Sequence, residues 1–244
     1  MSDRPDTPAP GSADEVEAVR ERYARRQASD RRYHPLEPSV WCARFERERA
    51  LLELLAAQGW GDLSQRRVLE VGCGSGGNLL EWLRLGAAPE HLSGIELLPE
   101  RLARARLALP AAAALIEGDA LHSAIEPASQ DVVMQSTVFS SLLDDAFQQR
   151  LADAMWGWTK PGGAVLWYDF TVNNPRNPDV RGVPLARVRE LFPQGHITMR
   201  RVTLAPPISR LVCRVHPAAY GLFNALPWLR THVLCWIAKP PSAG

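Results

Sequence analysis

The segment from Arg67 to Asn78, Arg-Val-Leu-Glu-Val-Gly-Cys-Gly-Ser-Gly-Gly-Asn, narrows the folds open to this chain more than any other stretch. Val68, Leu69 and Val71 make an aliphatic, β-branched run of buried-strand type that stops abruptly at Gly72. Gly72, Gly74 and Gly76 then allow a tight turn and leave no side chain between the backbone and a ligand. Leu79, Leu80, Trp82 and Leu83 follow at helical spacing. A helix therefore starts here, with its free N–H groups aimed back at the loop. Strand, glycine loop and helix in that order form a cradle for a nucleotide-type cofactor.

The spacing Gly72-x-Gly74-x-x-Gly77 also satisfies the dinucleotide fingerprint, so the loop by itself does not select the cofactor. Its neighbours do. Glu70 stands two residues before the first glycine, where its carboxylate would repel a pyrophosphate. It would accept hydrogen bonds from an ammonium group such as the amino-acid end of S-adenosylmethionine. Glu96 closes a second apolar stretch, Leu92 to Ile95, where an acidic residue can take both ribose hydroxyls. Gly118-Asp119 follows a third, Ala114 to Ile116, which suits Asp119 to accept from an adenine amino group. Lys160-Pro161-Gly162-Gly163 makes a turn before another strand.

Taken in order, Leu69 to Gly76, Gly94-Ile95-Glu96, Gly118-Asp119-Ala120, Asp131-Val132-Val133 and Lys160 to Gly163 resemble the successive motifs of class I S-adenosylmethionine-dependent methyltransferases. The resemblance covers residues 66–170. It implies an α/β, Rossmann-like fold: a doubly wound, seven-stranded, mostly parallel sheet with an antiparallel closing strand and an N-terminal helical cap. It also implies S-adenosyl-L-methionine as cofactor, bound by Glu70, Gly72, Gly74, Gly76, Glu96, Leu97, Asp119, Ala120 and Gln135. The later stretch Trp167-Tyr168-Asp169-Phe170, with Asn173 to Pro178, resembles bacterial members of the type 11/12 kind associated with polysaccharide or small-metabolite pathways. That makes a small molecule or a sugar hydroxyl the expected acceptor, with O-methylation ahead of N-methylation.

Bulk properties fit such an enzyme. The 244 residues suffice for one domain with a cap and a full core. Lys plus Arg total 28 against 27 Asp plus Glu, so the overall charge asks for neither nucleic acid nor an anionic membrane. Met134-Gln135-Ser136-Thr137 lacks the Asp or Asn, prolines and aromatic that hold a flipped base in the DNA amino-methyltransferases resembling this fold. Cys42, Cys73, Cys213 and Cys235 have no metal-type spacing and are too scattered for a disulfide framework. Cys73 reads as a small packing residue. No metal site is expected, since Asp144-Asp145 fall early in a predicted helix, where they complement its dipole. No apolar run has signal-peptide or transmembrane length, which makes the cytoplasm the expected compartment.

Residues 1–13, with little apolar content, predict a disordered tail. Residues 14–59 predict a helical cap. Within it, Glu15 to Gln27 is a charged helix with a thin apolar stripe of Val16, Val19 and Tyr23. A non-helical link at Arg32 to Leu36 precedes an amphipathic helix from Val40 to Gln58 that ends at Gly59. Residues 60–240 predict the catalytic domain, with strands at 68–71, 92–96, 114–116, 131–135 and 164–169. Helices at 77–85, 99–108 and about 143–158 alternate with them, and a short helix near 185–191 precedes closing strands at 197–204 and 232–238. Residues 205–230 form an apolar insert between those last strands, with Arg210, Arg214 and Arg230 interleaved. Packing on the sheet edge is its leading reading, with a substrate lid, a dimer surface or a membrane-surface contact behind it.

An enzyme of this class chiefly aligns nucleophile, methyl and sulfur in a water-poor pocket; orientation of that kind can contribute about 7–11 kcal/mol. A hydroxyl acceptor must also lose its proton, whereas an amine has to be held uncharged. Asp169, at a predicted strand end, and His34, in the N-terminal segment, are the candidate bases. The other reading of Asp169 is a turn cap or a partner of Arg176, and of His34 a solvated linker residue. Tyr33, Trp41, Tyr168 and Asn173 are candidates for the acceptor pocket, although aromatics so placed are often simply core. Two rival functions stay open: an NAD(P)-dependent oxidoreductase with Glu96 on the ribose, and a non-catalytic protein that keeps the cofactor pocket for regulation.

Overall fold

The alternation of apolar and amphipathic segments resolves into one seven-stranded sheet in a computed structural model that describes residues 12–25, 34–175 and 177–242. The strands are β1 (Val68–Val71), β2 (Leu92–Glu96), β3 (Ala114–Glu117), β4 (Gln130–Ser136), β5 (Thr159–Phe170), β6 (His196–Leu204) and β7 (Arg230–Ala238). Their order across the sheet is β3-β2-β1-β4-β5-β7-β6. Pairs from β3 to β5 are parallel, and β7 runs antiparallel to both β5 and β6. This is the expected doubly wound sheet with its antiparallel closing strand. Because β1 pairs with β2 on one side and β4 on the other, the crossovers diverge at its C-terminal end. An open parallel sheet binds ligands in the crevice so formed.

Both faces are covered, so the central strands can be apolar throughout. On one face Leu69, Val71, Val133, Val165 and Trp167 pack under α5 (Asp145–Trp158) and α6 (Leu185–Leu191). Val19 of α1 (Ser12–Ala24) joins that cluster. On the other face Val68, Val132, Met134 and Leu166 meet Leu54 of α2 (Pro38–Ala57) and Leu79 and Trp82 of α3 (Gly77–Arg84). Leu102 of α4 (Pro99–Ala108) lies in the same cluster. Leu54 and Leu79 are wholly buried, which is worth about 1.5–3 kcal/mol for each side chain. Gly94 is needed in β2 for packing, since a Cβ there would lie 2.7 Å from the Cys73 sulfur. Cys73 is thus the packing residue its apolar setting predicts.

Several boundaries differ from the sequence reading. β5 begins at Thr159 and not at 164, because Lys160 to Gly163 bulge out of the strand pairing opposite Asp131. Lys160 Nζ reaches the Asp131 carboxylate at 2.7 Å across that bulge. α5 begins at Asp145 because Asp144 is its N-cap, accepting from the Phe147 N–H at 2.7 Å. α1 starts at Ser12, inside the segment read as tail; the rest of that tail, Tyr33 and residues 26–27 of the charged helix lie outside the described residues. Residues 205–230 fold into α7 (Pro206–Val215) and α8 (Ala219–Asn224), whose Cys213 and Tyr220 pack with Leu204 of β6. No helix among the described residues is long and apolar enough to cross a membrane.

Candidate cofactor site

The glycine loop leaves β1 in the conformation its residues predict. Gly72, Gly74 and Gly76 all have positive φ, at 68°, 56° and 82°, and Gly76 is the left-handed N-cap of α3. At Gly72 a side chain would also collide, since its Cβ would lie 2.5 Å from Val138 Cγ2. The loop is tied to β2 in two places. The Cys73 N–H donates to the Ile95 carbonyl at 2.9 Å, and the Gly74 N–H to Glu96 Oε2 at 2.7 Å. Glu96 is buried, and its Oε1 accepts from the Leu98 N–H at 2.9 Å. Each oxygen keeps a second lone pair. Asp119 Oδ1 accepts from the Leu121 N–H at 3.0 Å, and its Oδ2 lies 2.9 Å from His122 Nδ1.

A cavity of about 110 Å³ opens between these strand ends and α1. Gly72, Glu96, Leu97, Asp119 and Ala120 line it on the strand side, with Ser136 at the end of β4 and Thr137 and Val138 after it. Val16, Val19 and Tyr23 of α1 lie across from them. Of the residues predicted for the cofactor, these five strand-side residues are brought together in one wall. Gly74 and Gly76 shape the loop without lining the cavity. The volume is well under the roughly 300–1,000 Å³ usual for ligand sites, in keeping with the helix lying over the opening.

Glu70 faces the other side of β1, where it joins a buried polar chain. Asn78 Nδ2 donates to Glu70 Oε1 at 2.5 Å, and Arg47 Nη2 from α2 donates to Asn78 Oδ1 at 2.7 Å and to Glu81 Oε2 at 3.0 Å. Burial pushes the Glu70 carboxyl up to about 7, against the pull of Asn78 and Arg47. Its Oε2 is buried without a hydrogen-bond partner. An unmet buried acceptor costs about 1–3 kcal/mol, and an ammonium donor would satisfy it. The residues present therefore fit a cofactor with an amino-acid end and a ribose. A second, smaller cavity, of about 20 Å³, is lined by Arg47, Asn78, Glu81, Gln135 and Tyr168. Ser136 borders both cavities.

The other predicted residues lie elsewhere. Gln135 is fully buried, accepting from the Val138 N–H at 3.0 Å and donating to the Tyr168 carbonyl at 3.3 Å, so it braces the turn after β4. Tyr168 lines the second cavity, stacks on His232 at 5.1 Å and places its hydroxyl 2.9 Å from Thr203 Oγ1. Asp169 is wholly buried; its oxygens accept from the Ser140 N–H at 3.0 Å and the Phe170 N–H at 2.9 Å, and it lines neither cavity. Burial pushes its carboxyl up to about 7. His34 is exposed before α2 and accepts from the Leu36 N–H at 3.2 Å. Trp41 is 54% exposed against the edge of Phe45, and Asn173 Oδ1 accepts from the Gly182 N–H at 2.8 Å.

Two residues at the cavity carry no sequence signal. Arg101 of α4 reads as an ordinary helix-surface cation, yet it lines the cavity and its guanidinium lies 5.2 Å from the Tyr23 ring centre. Thr137 has φ 59°, an uncommon conformation for a β-branched residue, just after β4 in the cavity wall. Such strain costs about 1–3 kcal/mol and gathers at functional sites.

Residues 68–163 match the family model described as a methyltransferase domain. No curated protein matches the chain by sequence. Among solved structures it is similar to a SAM-dependent methyltransferase from Archaeoglobus fulgidus, at 14% identity and TM-score 0.56 over 79% of this chain and 94% of that one. Phosphoethanolamine N-methyltransferase 2 of Haemonchus contortus, in complex with S-adenosyl-L-methionine, gives 16% identity and TM-score 0.56 over 80% of this chain and 52% of that one. The cyclase SpnF gives 17% and 0.56 over 80% and 82%. At these identities the structural likeness speaks for the fold alone. The family match makes residues 68–163 a methyltransferase domain, so the chain is an enzyme.

Proposed function

We propose that the chain transfers the methyl group of S-adenosyl-L-methionine to a small-molecule acceptor. When bound, the cofactor supplies an electrophilic methyl on a positively charged sulfur. The observation that carries the reading is the set of carboxylates at the ends of adjacent strands. Glu96 and Asp119 open on one cavity, and Glu70 offers an unpartnered oxygen behind the glycine loop. In this reading Glu70 accepts from the amino-acid end, Glu96 takes the ribose hydroxyls, and Asp119, with Leu97 and Ala120, holds the adenine. Ser136 and Thr137, which line the same cavity, would border the acceptor.

A sugar or other hydroxyl is the acceptor that the resemblance of Trp167 to Phe170 and Asn173 to Pro178 favours, with O-methylation as the reaction. A hydroxyl has to give up its proton, and neither Asp169 nor His34 lines the cavity. An amine held uncharged by the site attacks with its own lone pair and needs no base during methyl transfer, which makes N-methylation the second reading. Incubating the enzyme with S-adenosylmethionine and panels of glycans, phenols and amines tests both readings by the gain of one methyl in product mass. Products confined to amines would remove the hydroxyl reading, and cofactor binding with no product from any panel would favour a non-catalytic role.

A further inference from the structure

Beyond methyl transfer, we propose that the face made by α7, α8 and the turn to β7 docks on an anionic lipid bilayer. Leu211 of α7 is 65% exposed, Val215 83%, Leu222 of α8 73% and Trp228 75%, with Phe223 and Leu226 also open to solvent. These are six of the twelve exposed large hydrophobic residues of the described chain, drawn from one short stretch. They are outward by construction: Cys213 and Tyr220 pack the insert on Leu204 of β6, and Val212 is buried. An apolar face of this density is a contact surface.

Charge selects the occupant. From Leu191 to the C-terminus the sequence has no aspartate or glutamate, while it has Arg200, Arg201, Arg210, Arg214, Arg230 and Lys239. The near balance of 28 basic and 27 acidic residues over the whole chain hides this local excess. Arg214 and Val215 are exposed together at the end of α7, and Arg210 is half-buried one turn earlier. Among the described residues neither arginine has an ion-pair partner. Leucines and a tryptophan set among unpaired arginines match an interface where acyl chains lie below and lipid phosphates beside them. A second copy of the chain suits the face less well, because a two-fold contact would press Arg210 and Arg214 against their own counterparts. β6 ends at Leu204, β7 begins at Arg230, and Phe170 at the end of β5 pairs with His232. The insert therefore sits on the same sheet edge as the cofactor cavity, so docking would turn that edge toward the lipid.

The test is sedimentation of the full chain with vesicles of phosphatidylcholine, with and without phosphatidylglycerol. The chain should sediment with the anionic vesicles, bind pure phosphatidylcholine far more weakly and be released by high salt. Leu222→Ser combined with Trp228→Ala, and separately Arg210→Glu combined with Arg214→Glu, should each weaken binding by about tenfold or more. Thermal midpoint and calorimetric affinity for S-adenosylmethionine serve as folding controls and should not change, since these side chains lie outside the cavity. Failure to sediment with anionic vesicles, or equal sedimentation of both variants, would overturn the proposal. A dimer in solution that the same variants dissolve, without vesicle binding, would overturn it in favour of a second copy.

Discussion

Glu70 is an ionisable group whose protonation the fold has moved to the middle of the physiological range. Desolvation raises it from 4.5 to about 7, so the cofactor-free protein holds a proton there that the unfolded chain releases near pH 4.5. Its contribution to stability is therefore full below about pH 4.5 and is lost as pH rises through 7. Asp169, raised from 3.8 to about 7, acts in the same direction. The thermal midpoint of the cofactor-free enzyme should fall between pH 5 and 8, and fall less in Glu70→Gln. Cofactor affinity should do the reverse, because an ammonium group pairs with the ionised carboxylate. Calorimetry should find tighter binding at pH 8 than at pH 6 in the wild type and little pH dependence in Glu70→Gln.

Asp169 calls for a different expectation. The sequence reading makes it a base, for which Asp169→Asn would keep cofactor affinity and lose about 10²–10⁴-fold in turnover. In the structure its oxygens hold the N–H groups of Ser140 and Phe170, and the Ser140 partner lies 29 residues earlier. An amide cannot accept on both sides, so the variant should lose about 1–3 kcal/mol of stability while the folded fraction keeps its turnover. Urea unfolding beside an activity assay separates the two. Unchanged stability with a large loss of turnover would return Asp169 to the role of base.

At the scale of elements, α1 is the piece whose position bears most on function. Its Glu15 Oε1 accepts from Arg22 Nη2 and from the Leu143 N–H, both at 2.7 Å, while Val16, Val19 and Tyr23 face the cavity. A charged helix whose apolar side chains rest on the cavity should open and close over the cofactor. Amide exchange across residues 15–24 should slow when S-adenosylmethionine is added; equal protection with and without it would make α1 a fixed part of the core.

What the sequence reveals at this scale follows from locality. β2 at 92–96, α4 at 99–108 and α6 at 185–191 lie where apolar spacing and Pro99 place them, because their signals are contained within the element. β5 starts five residues early because a bulge against Asp131 is a tertiary event. Ile208, Leu211, Val212 and Val215 of α7 have helical spacing, but the spacing does not tell which of them turn inward, and Leu211 and Val215 face outward. The site divides the same way. Glu96, Leu97, Asp119 and Ala120 end or follow strands and could be placed from motif spacing, as could the glycines of the loop. The surroundings of Asp169, Gln135 and Tyr168 depend on turns and strands distant in sequence.

For the molecule as a whole, the sheet order places the divergence of crossovers beside β1, and the chain spends its glycines and acids there. The helices bury both faces of the sheet and leave that one edge to chemistry. The same edge carries the insert with the outward apolar face, so cofactor, acceptor and any lipid surface would meet on one side of the enzyme. Residues remote from that edge should affect turnover only through stability.

The central claim is that the cavity beside the glycine loop takes S-adenosylmethionine through carboxylates at the strand ends. Titration calorimetry of the wild type and Glu96→Ala with S-adenosylmethionine and with NAD tests it directly. Hydrogen bonds from the ribose hydroxyls to the Glu96 carboxylate are worth about 1.5–3 kcal/mol. S-adenosylmethionine should therefore bind the wild type, bind a folded Glu96→Ala at least about tenfold more weakly, and find no competitor in NAD. Binding of NAD without S-adenosylmethionine, or equal S-adenosylmethionine affinity in the two proteins, would contradict the account.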